Sequence, residues 1–518
     1  MTSSISGISK HCYHFFDSKK LPKLLRIHWK KSSVSNRLNF TMNADETPNC
    51  QLNIDKQYNH VKYLQETAPG FPIDASKITL IKEPKDFYST LLKKCENSKK
   101  RITLASLYLG TGPLEKDLVE SMKKAVISTN GNIEINILLD YMRGSRGKIN
   151  SRMMLKPLLE DDNDGPDNCK IYLYHTPKLR GVLKSVMPNR FNELIGLQHM
   201  KIYIFDDSLI ISGANLSNDY FTNRQDRYLL IEDCKDLCDF YSKLIKRVAE
   251  FSFRLLPDDT TVFENKISQH PLTSSLEQFR CSAQEKIQSL YLEELNKSKK
   301  QLHENSRNDT WVFPLIQMGQ LGIRYDSDIT LNLLKNAQPG SLLRLATSYF
   351  NLTSDYSNAL LKNCQASCEL LTAHPTANGF FKAKGVAGGI PAAYTKLEKS
   401  FFKKIEKLGL ENRIQLREFI RSDWTYHAKG LWYTLPHEKK PSLTLIGSSN
   451  FGYRSVERDL ETQIVVVTKN KTLQDNLENE YMRLYKRSKP VDKQTLHQPD
   501  RIVPAWVRAT TTLFRYFF

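Results

Sequence analysis

Apolar and polar positions alternate at period two through Gln198-His199-Met200-Lys201-Ile202-Tyr203-Ile204-Phe205-Asp206. Met200, Ile202 and Ile204 form one face of a strand; His199, Lys201 and Tyr203 form the other. A second apolar run, Leu209 to Ile211, ends in Ser212-Gly213-Ala214-Asn215. The same reasoning predicts strands over 77–82, 101–109, 132–140, 170–175 and 228–231, and helices over 85–94, 114–125 and 236–253. A polar connector follows, with a capping box at Ser274-Ser275-Leu276-Glu277 and a helical stripe of Leu276, Phe279, Ala283, Ile287 and Leu290. From Trp311 the order begins again. Strand 342–350 echoes strand 101–109, then come helix 356–362, strand 369–372, helix 397–407, strands 443–446 and 464–467, and helix 473–485. Alternating strands and helices in two successive stretches predict an α/β fold with parallel-rich sheets covered by helices.

The repetition extends to chemistry. Tyr426-His427-Ala428-Lys429-Gly430-Leu431-Trp432 repeats the His-x-Lys pattern, and Ile446-Gly447-Ser448-Ser449-Asn450 repeats the turn that carries Asn215. Asp226 stands eleven residues after Asn215, and Glu461 eleven after Asn450. This residue set suits displacement at a phosphodiester. A neutral imidazole is a good nucleophile near neutral pH, and a second imidazole can exchange protons with the departing and incoming oxygens. Lys201, Lys429, Asn215 and Asn450 are suited to the non-bridging phosphate oxygens, where negative charge sits. Asp226 and Glu461 are candidates to orient the histidines through their other ring nitrogens. Asp206 completes a His-x-Lys-x4-Asp pattern in the first copy, but its counterpart in the second is Thr434.

The 518 residues carry a net charge of +19, and 40% are apolar. Such a chain holds a sizeable core and favours polyanionic partners. No apolar run is long enough to predict a transmembrane helix. The nine cysteines include two C-x3-C pairs, Cys234/Cys238 and Cys364/Cys368, without a second pair at zinc spacing, so no metal is expected. The acidic stretch 160–168 lacks the final glutamate of a calcium loop. The Gly110-Thr111-Gly112-Pro113 turn lacks the ending of a nucleotide-binding loop. Residues 1–44 are basic, serine-rich and poor in acids, the composition of a mitochondrial transit peptide. Residues 45–76 read as a linker, 77–256 as a first half, 257–310 as a helical connector, 311–489 as a second half and 490–518 as an aromatic and basic tail. That tail suits either a membrane interface or packing on the core.

The two His-x-Lys motifs resemble those of the phospholipase D superfamily. The resemblance implies two pseudo-symmetric βαβα halves facing each other, one active site at their interface, and no cofactor. It also implies a covalent adduct on one histidine, with His199 favoured as nucleophile and His427 as acid/base. The segments Ala105 to Glu115 and Tyr220 to Tyr228 look like the eukaryotic phosphatidylglycerophosphate synthases of that superfamily, over most of the chain from Phe71 to Lys486. Members take CDP-diacylglycerol and glycerol 3-phosphate and release CMP and phosphatidylglycerol phosphate, the precursor of cardiolipin, at the mitochondrial inner membrane. On this resemblance Arg224, Arg227, Arg454 and Arg458 are candidates for the acceptor phosphate, the positive charge suits an anionic membrane surface, and nucleic acid is not expected. The alternatives are a phospholipase D-like nuclease, a cardiolipin synthase-like transferase and a non-catalytic lipid-binding scaffold.

Overall fold

Two sheets repeat one strand order, each built from its own half of the sequence. The first runs, inside an edge strand Thr261–Val262, through Phe253–Leu255, Cys169–Tyr174, Glu134–Asp140, Arg101–Ala105, Ile202–Phe205, Ser208–Ser212, Tyr228–Ile231 and Ile78–Ile81. The second runs Ser488–Val491, Ile414–Phe419, Ser367–Ala373, Leu342–Ala346, Gly430–Thr434, Leu443–Gly447, Leu460–Thr468 and Thr310–Met318. The computed structural model describes residues 62–160, 168–181, 195–264, 269–302 and 309–517. The basic leader 1–44, residues 45–61 of the linker and most of the acidic stretch 160–168 lie outside the described residues.

The sheets are less parallel than the strand–helix alternation predicts. In each half only the three strands joined by helical crossovers run parallel, Arg101–Ala105 with Glu134–Asp140 and Cys169–Tyr174, and Leu342–Ala346 with Ser367–Ala373 and Ile414–Phe419. The remaining pairings are antiparallel. The reason is connection length. Only Asp206 and Asp207 join Ile202–Phe205 to Ser208–Ser212, and a link that short closes a hairpin.

His199 and Lys201 lie just before the strand expected to carry them, which begins at Ile202, and that strand has two apolar faces rather than one. Ile202 and Ile204 enter the core that also holds Phe240 and Leu244 of helix Lys235–Ala249, while Tyr203 and Phe205 enter a second core with Phe87 and Leu118. Helices Pro84–Asn97 and Pro113–Ser128 supply that second layer. The first core continues without a break into Leu431, Leu445 and Ile464 of the second sheet, so the halves share one apolar interior. Hydrophobic burial therefore fixes the two His-x-Lys segments relative to each other.

Three further segments complete the fold. Phe71–Pro72, expected in the linker, pairs with Trp311 and Val312 on the edge of the second sheet. The connector folds into helix Leu276–Leu302, which buries Phe279, Ala283, Ile287 and Leu290, but Leu276 itself is exposed. The tail forms helix Ala505–Phe514, which packs against helix Ile390–Lys407.

Candidate active site

Each histidine is delivered by one half and clamped by the other. The backbone N–H of His199 donates to the carbonyl of Leu460 at 2.8 Å, and that of His427 to the carbonyl of Gln225 at 2.7 Å. Leu460 and Gln225 are the residues before Glu461 and Asp226. The carboxylates consequently reach across: His199 Nδ1 lies 2.9 Å from both oxygens of Glu461, and His427 Nδ1 lies 2.6 Å from Asp226 Oδ2. An ionised carboxylate only accepts, so while Glu461 and Asp226 are charged the rings carry the proton on Nδ1 and leave Nε2 with a lone pair. Backbone pairing reinforces the exchange, with Arg224–Gln225 parallel to Thr425–Tyr426 and Gln198 bridged to Leu460.

Lys201 and Lys429 curl back beside their histidines. Lys201 Nζ donates to the His199 carbonyl at 2.7 Å; Lys429 Nζ donates to the His427 carbonyl at 2.7 Å and lies 2.8 Å from His427 Nδ1. Their fields cross the interface, since Lys429 acts on His199 and Glu461, and Lys201 on His427 and Asp226. The four motif side chains therefore face one place.

Burial sets the protonation states. It pushes Lys201 down to about 7 and Lys429 down to about 8. It lifts Asp226 to about 6 and Glu461 to about 7 against the pull of the lysines. Both imidazoles are held well below the ordinary histidine value, by burial first and then by the adjacent lysine. Desolvation penalises every charge in a site closed to water, and an entering anion relieves the two ammonium groups.

The asparagines are not equivalent. Asn215 Nδ2 donates to Tyr220 Oη at 3.1 Å, and Tyr220 Oη lies 3.3 Å from His427 Nε2. Asn450 Oδ1 accepts from Ser348 Oγ at 3.1 Å and Thr347 Oγ1 at 3.3 Å, which orients its amide. Gly213 has a steric role: a Cβ there would stand 2.7 Å from Asp226 Oδ1 and 3.0 Å from Lys429 Nζ.

The arginines divide. Arg224 rests over the Tyr220 ring, donates to Thr425 Oγ1 at 3.0 Å, and acts on His427 and Lys429. Arg454 pairs with Asp459 at 2.9 Å and acts on His199. Arg227 is not available to a substrate. It is fully buried, donates to Glu480 at 3.0 and 2.9 Å, and stacks on Trp432 at 3.7 Å. Arg458 turns away to the Tyr516 carbonyl at 3.1 Å.

Asp206 is likewise not brought to the site. It sits at φ 51° in the hairpin turn, and its carboxylate accepts from the backbone N–H groups of Lys99, Lys100 and Arg101. It anchors the start of strand Arg101–Ala105, a structural task at the far end of its own strand. Ser341 closes the corresponding approach to Leu342–Ala346 on the Gln338 carbonyl, so Thr434 has no such task.

Several site neighbours escape sequence reasoning. Tyr220 and Tyr349 set their rings edge-on to His427, at centroid distances of 5.0 and 5.9 Å. Asp459 accepts from the Leu197 N–H at 3.0 Å and fixes the approach to His199. Gln198 is tied to the Ser106 and Leu138 carbonyls. Only the short distances of Tyr220 from Asn215 and of Asp459 from Glu461 along the chain hinted at them. His199, Asp459 and Glu461 offer ligand atoms within 4.8 Å of one another. Their negative charge already faces Lys201 and Arg454, a setting that disfavours a divalent cation.

A family model described as "Cardiolipin synthase, PLD-like domain" matches residues 330–485. The mitochondrial CDP-diacylglycerol–glycerol-3-phosphate 3-phosphatidyltransferase of Homo sapiens is 42% identical over 482 residues, covering 88% of this chain and 86% of its own. The CDP-diacylglycerol–glycerol-3-phosphate 3-phosphatidyltransferase of Saccharomyces pastorianus is 33% identical over 516 residues, covering 95% and 96%. Among solved structures, the phosphatidylserine synthase of Haemophilus influenzae superposes with a TM-score of 0.66 at 19% identity, covering 90% of this chain and all of its own, a likeness of fold.

Proposed function

The chain belongs to the CDP-diacylglycerol–glycerol-3-phosphate 3-phosphatidyltransferases, within the phospholipase D-like superfamily, and we propose that its facing histidines work through a phosphohistidine. It transfers the phosphatidyl group from CDP-diacylglycerol to glycerol 3-phosphate, giving phosphatidylglycerol phosphate and CMP. The observation that carries the mechanism is the pair of His–carboxylate contacts exchanged between halves.

In the first step, His199 Nε2 attacks the lipid-bearing phosphorus. A P–N bond forms and the P–O bond to CMP breaks. Glu461 holds the Nδ1–H and balances the imidazolium character of the adduct. The leaving group is a phosphate monoester with a second pKa of about 6, so it departs without a general acid. In the second step a hydroxyl of glycerol 3-phosphate attacks the same phosphorus. Its proton passes to His427 Nε2, the P–N bond breaks, and the proton is then released to solvent. A histidine held neutral is suited to each role. His427 Nε2 already has a hydroxyl partner in Tyr220, which favours proton exchange there and nucleophilic attack at His199.

Lys201, Lys429, Asn215 and Asn450 bind the non-bridging oxygens through both steps. Arg224 and Arg454 receive the acceptor's phosphate, one on each side of the cleft. The enzyme works on an anionic membrane surface in the mitochondrion, at the inner membrane. Its curated relatives include mitochondrial enzymes, and no described helix is long and apolar enough to cross a membrane.

The test uses purified protein, labelled glycerol 3-phosphate and CDP-diacylglycerol. Lipid-soluble label that needs both His199 and His427 is expected. Release of CMP without labelled lipid, or cleavage of nucleic acid at a higher rate, would overturn the transferase assignment.

A further inference from the structure

Between Glu369 and Glu398 the chain carries no acidic residue. In the middle lies Gly379-Phe380-Phe381-Lys382-Ala383-Lys384-Gly385-Val386, a largely exposed segment. Phe381 is 43% exposed and Val386 52%, large values for apolar side chains that gain by leaving water. Trp506 of the tail helix, 47% exposed, packs on Gly389 just past this segment, where a Cβ would come within 2.3 Å of its ring. Loop and tail thus present an apolar knob rimmed by Lys382 and Lys384.

The knob is joined to the catalytic histidine. Phe380 lies 6.0 Å from the Tyr349 ring, which stacks on Tyr394 at 5.2 Å and meets His427 edge-on at 5.9 Å. Gly379 at its base abuts the Arg224 guanidinium at 3.1 Å from a Cβ. A series of ring contacts therefore runs from Phe380, next in sequence to exposed Phe381, through Tyr349 to His427.

We infer that the 379–388 loop, with Trp506, is the surface that inserts into an anionic bilayer and admits the diacylglycerol end of the substrate along the Tyr349 wall. The occupant follows from chemistry on both sides. Isolated apolar tips flanked by lysines match the boundary between acyl chains and anionic headgroups. The site they lead to requires a phosphodiester whose other end is insoluble in water, so this inference rests on the transferase assignment above. A second copy of the chain would have to bring acidic residues to face Lys382 and Lys384.

The experiment compares the full-length protein with Phe381→Ser/Val386→Ser and Lys382→Gln/Lys384→Gln, neither of which touches the catalytic groups. Ile127→Ser, at a still more exposed apolar position on helix Pro113–Ser128, serves as control. Binding is measured by flotation with phosphatidylcholine vesicles, with and without phosphatidylglycerol. Transfer is measured with long-chain CDP-diacylglycerol in those vesicles and with a short-chain, water-dispersed analogue. The serine pair is expected to lose about tenfold or more in vesicle binding and in vesicle-borne turnover, with short-chain turnover unchanged. The glutamine pair loses binding only where phosphatidylglycerol is present.

Full binding by the serine pair, an equal loss on short-chain substrate, or a change in oligomeric state without vesicles would each overturn the inference. Failure of the wild-type protein to turn over the short-chain substrate would instead strike the transferase assignment, and flotation reads the loop independently of it.

Discussion

Glu461 accepts the Nδ1–H of His199 at 2.9 Å on both oxygens, although 262 residues separate the two and they belong to opposite halves. Asp226 and His427 repeat the relationship at 2.6 Å. Neither half alone holds a complete histidine pair. In the proposed mechanism each carboxylate fixes a tautomer whose lone pair faces the substrate phosphorus, and it stabilises positive charge that develops on the ring. Glu461→Gln keeps shape and removes charge, so kcat should fall by about 10²- to 10⁴-fold. The thermal transition should hardly move. Steady-state transfer and a melting curve check this, and a Glu461→Gln enzyme with wild-type kcat would dismiss the orienting role.

The nucleophile can be read from one turnover. CMP needs no proton to leave, so removing the base of the second step leaves the first intact. His427→Gln should release one equivalent of CMP in a burst and accumulate a phosphatidyl adduct on His199. His199→Gln should give neither. Rapid quench and peptide mapping decide it. A burst in His199→Gln with the adduct on residue 427 reverses the assignment.

The lysines predict a pH profile with a definite sign. Lys201 near 7 and Lys429 near 8 lie below the ordinary 10.5, so in the empty enzyme each loses its charge as pH rises through its value. Binding of an anionic phosphodiester needs that charge. kcat/KM should decline above neutrality, whereas kcat should stay level over the same range because the bound anion holds the protons on. Lys201→Arg stays charged throughout and should move the alkaline limb upward, toward the Lys429 value, at a lower overall rate. The same limb in kcat, unmoved by the arginine, would mean that another group titrates.

Asp206 and Thr434 occupy matching motif positions but have different surroundings. Three backbone N–H groups lose their acceptor in Asp206→Ala, which should cost about 1–3 kcal/mol of stability and leave KM unchanged in the folded enzyme. Thr434 is buried, and Thr434→Ser, which removes one methyl group and keeps the hydroxyl, should cost only about 1 kcal/mol. Urea denaturation monitored alongside activity separates the two. A specific loss of kcat in undamaged Asp206→Ala would return the residue to the chemistry.

The duplicated chemistry was legible because each half routes the same path. A His-x-Lys segment leads into a strand, a turn carries the asparagine, and a short helix leads to the carboxylate-bearing strand, so equal spacing along the chain reflects equal geometry. Exchange of the carboxylates was not legible, since periodicity reports which face a residue takes and not which distant strand it meets. The antiparallel pairings were hidden by apolar runs that look alike in either direction. Arg227 misled for a related reason. An arginine beside a motif carboxylate looks like a ligand for phosphate, and only the positions of Glu480 and Trp432, over 200 residues later, turn it into a core residue.

Arg227 makes that distinction measurable. Its guanidinium forks onto both oxygens of Glu480, donates to Thr444 Oγ1 at 2.7 Å and to the Leu445 carbonyl at 2.7 Å, and covers the Trp432 ring. The Trp432 indole N–H donates to the same Glu480 at 2.8 Å. One side chain from the first half thus satisfies four groups in the second. Arg227→Ala strands a buried carboxylate and should destabilise the fold by about 3–5 kcal/mol. Arg227→Met with Glu480→Leu removes both charges together and should recover much of that loss. KM for glycerol 3-phosphate should be unchanged in the rescued double variant. In Arg454→Ala it should rise at least about tenfold, with a stability cost as well because the buried carboxylate of Asp459 loses its partner. A rise in acceptor KM in the rescued double variant, with Arg454→Ala silent, would exchange the two roles.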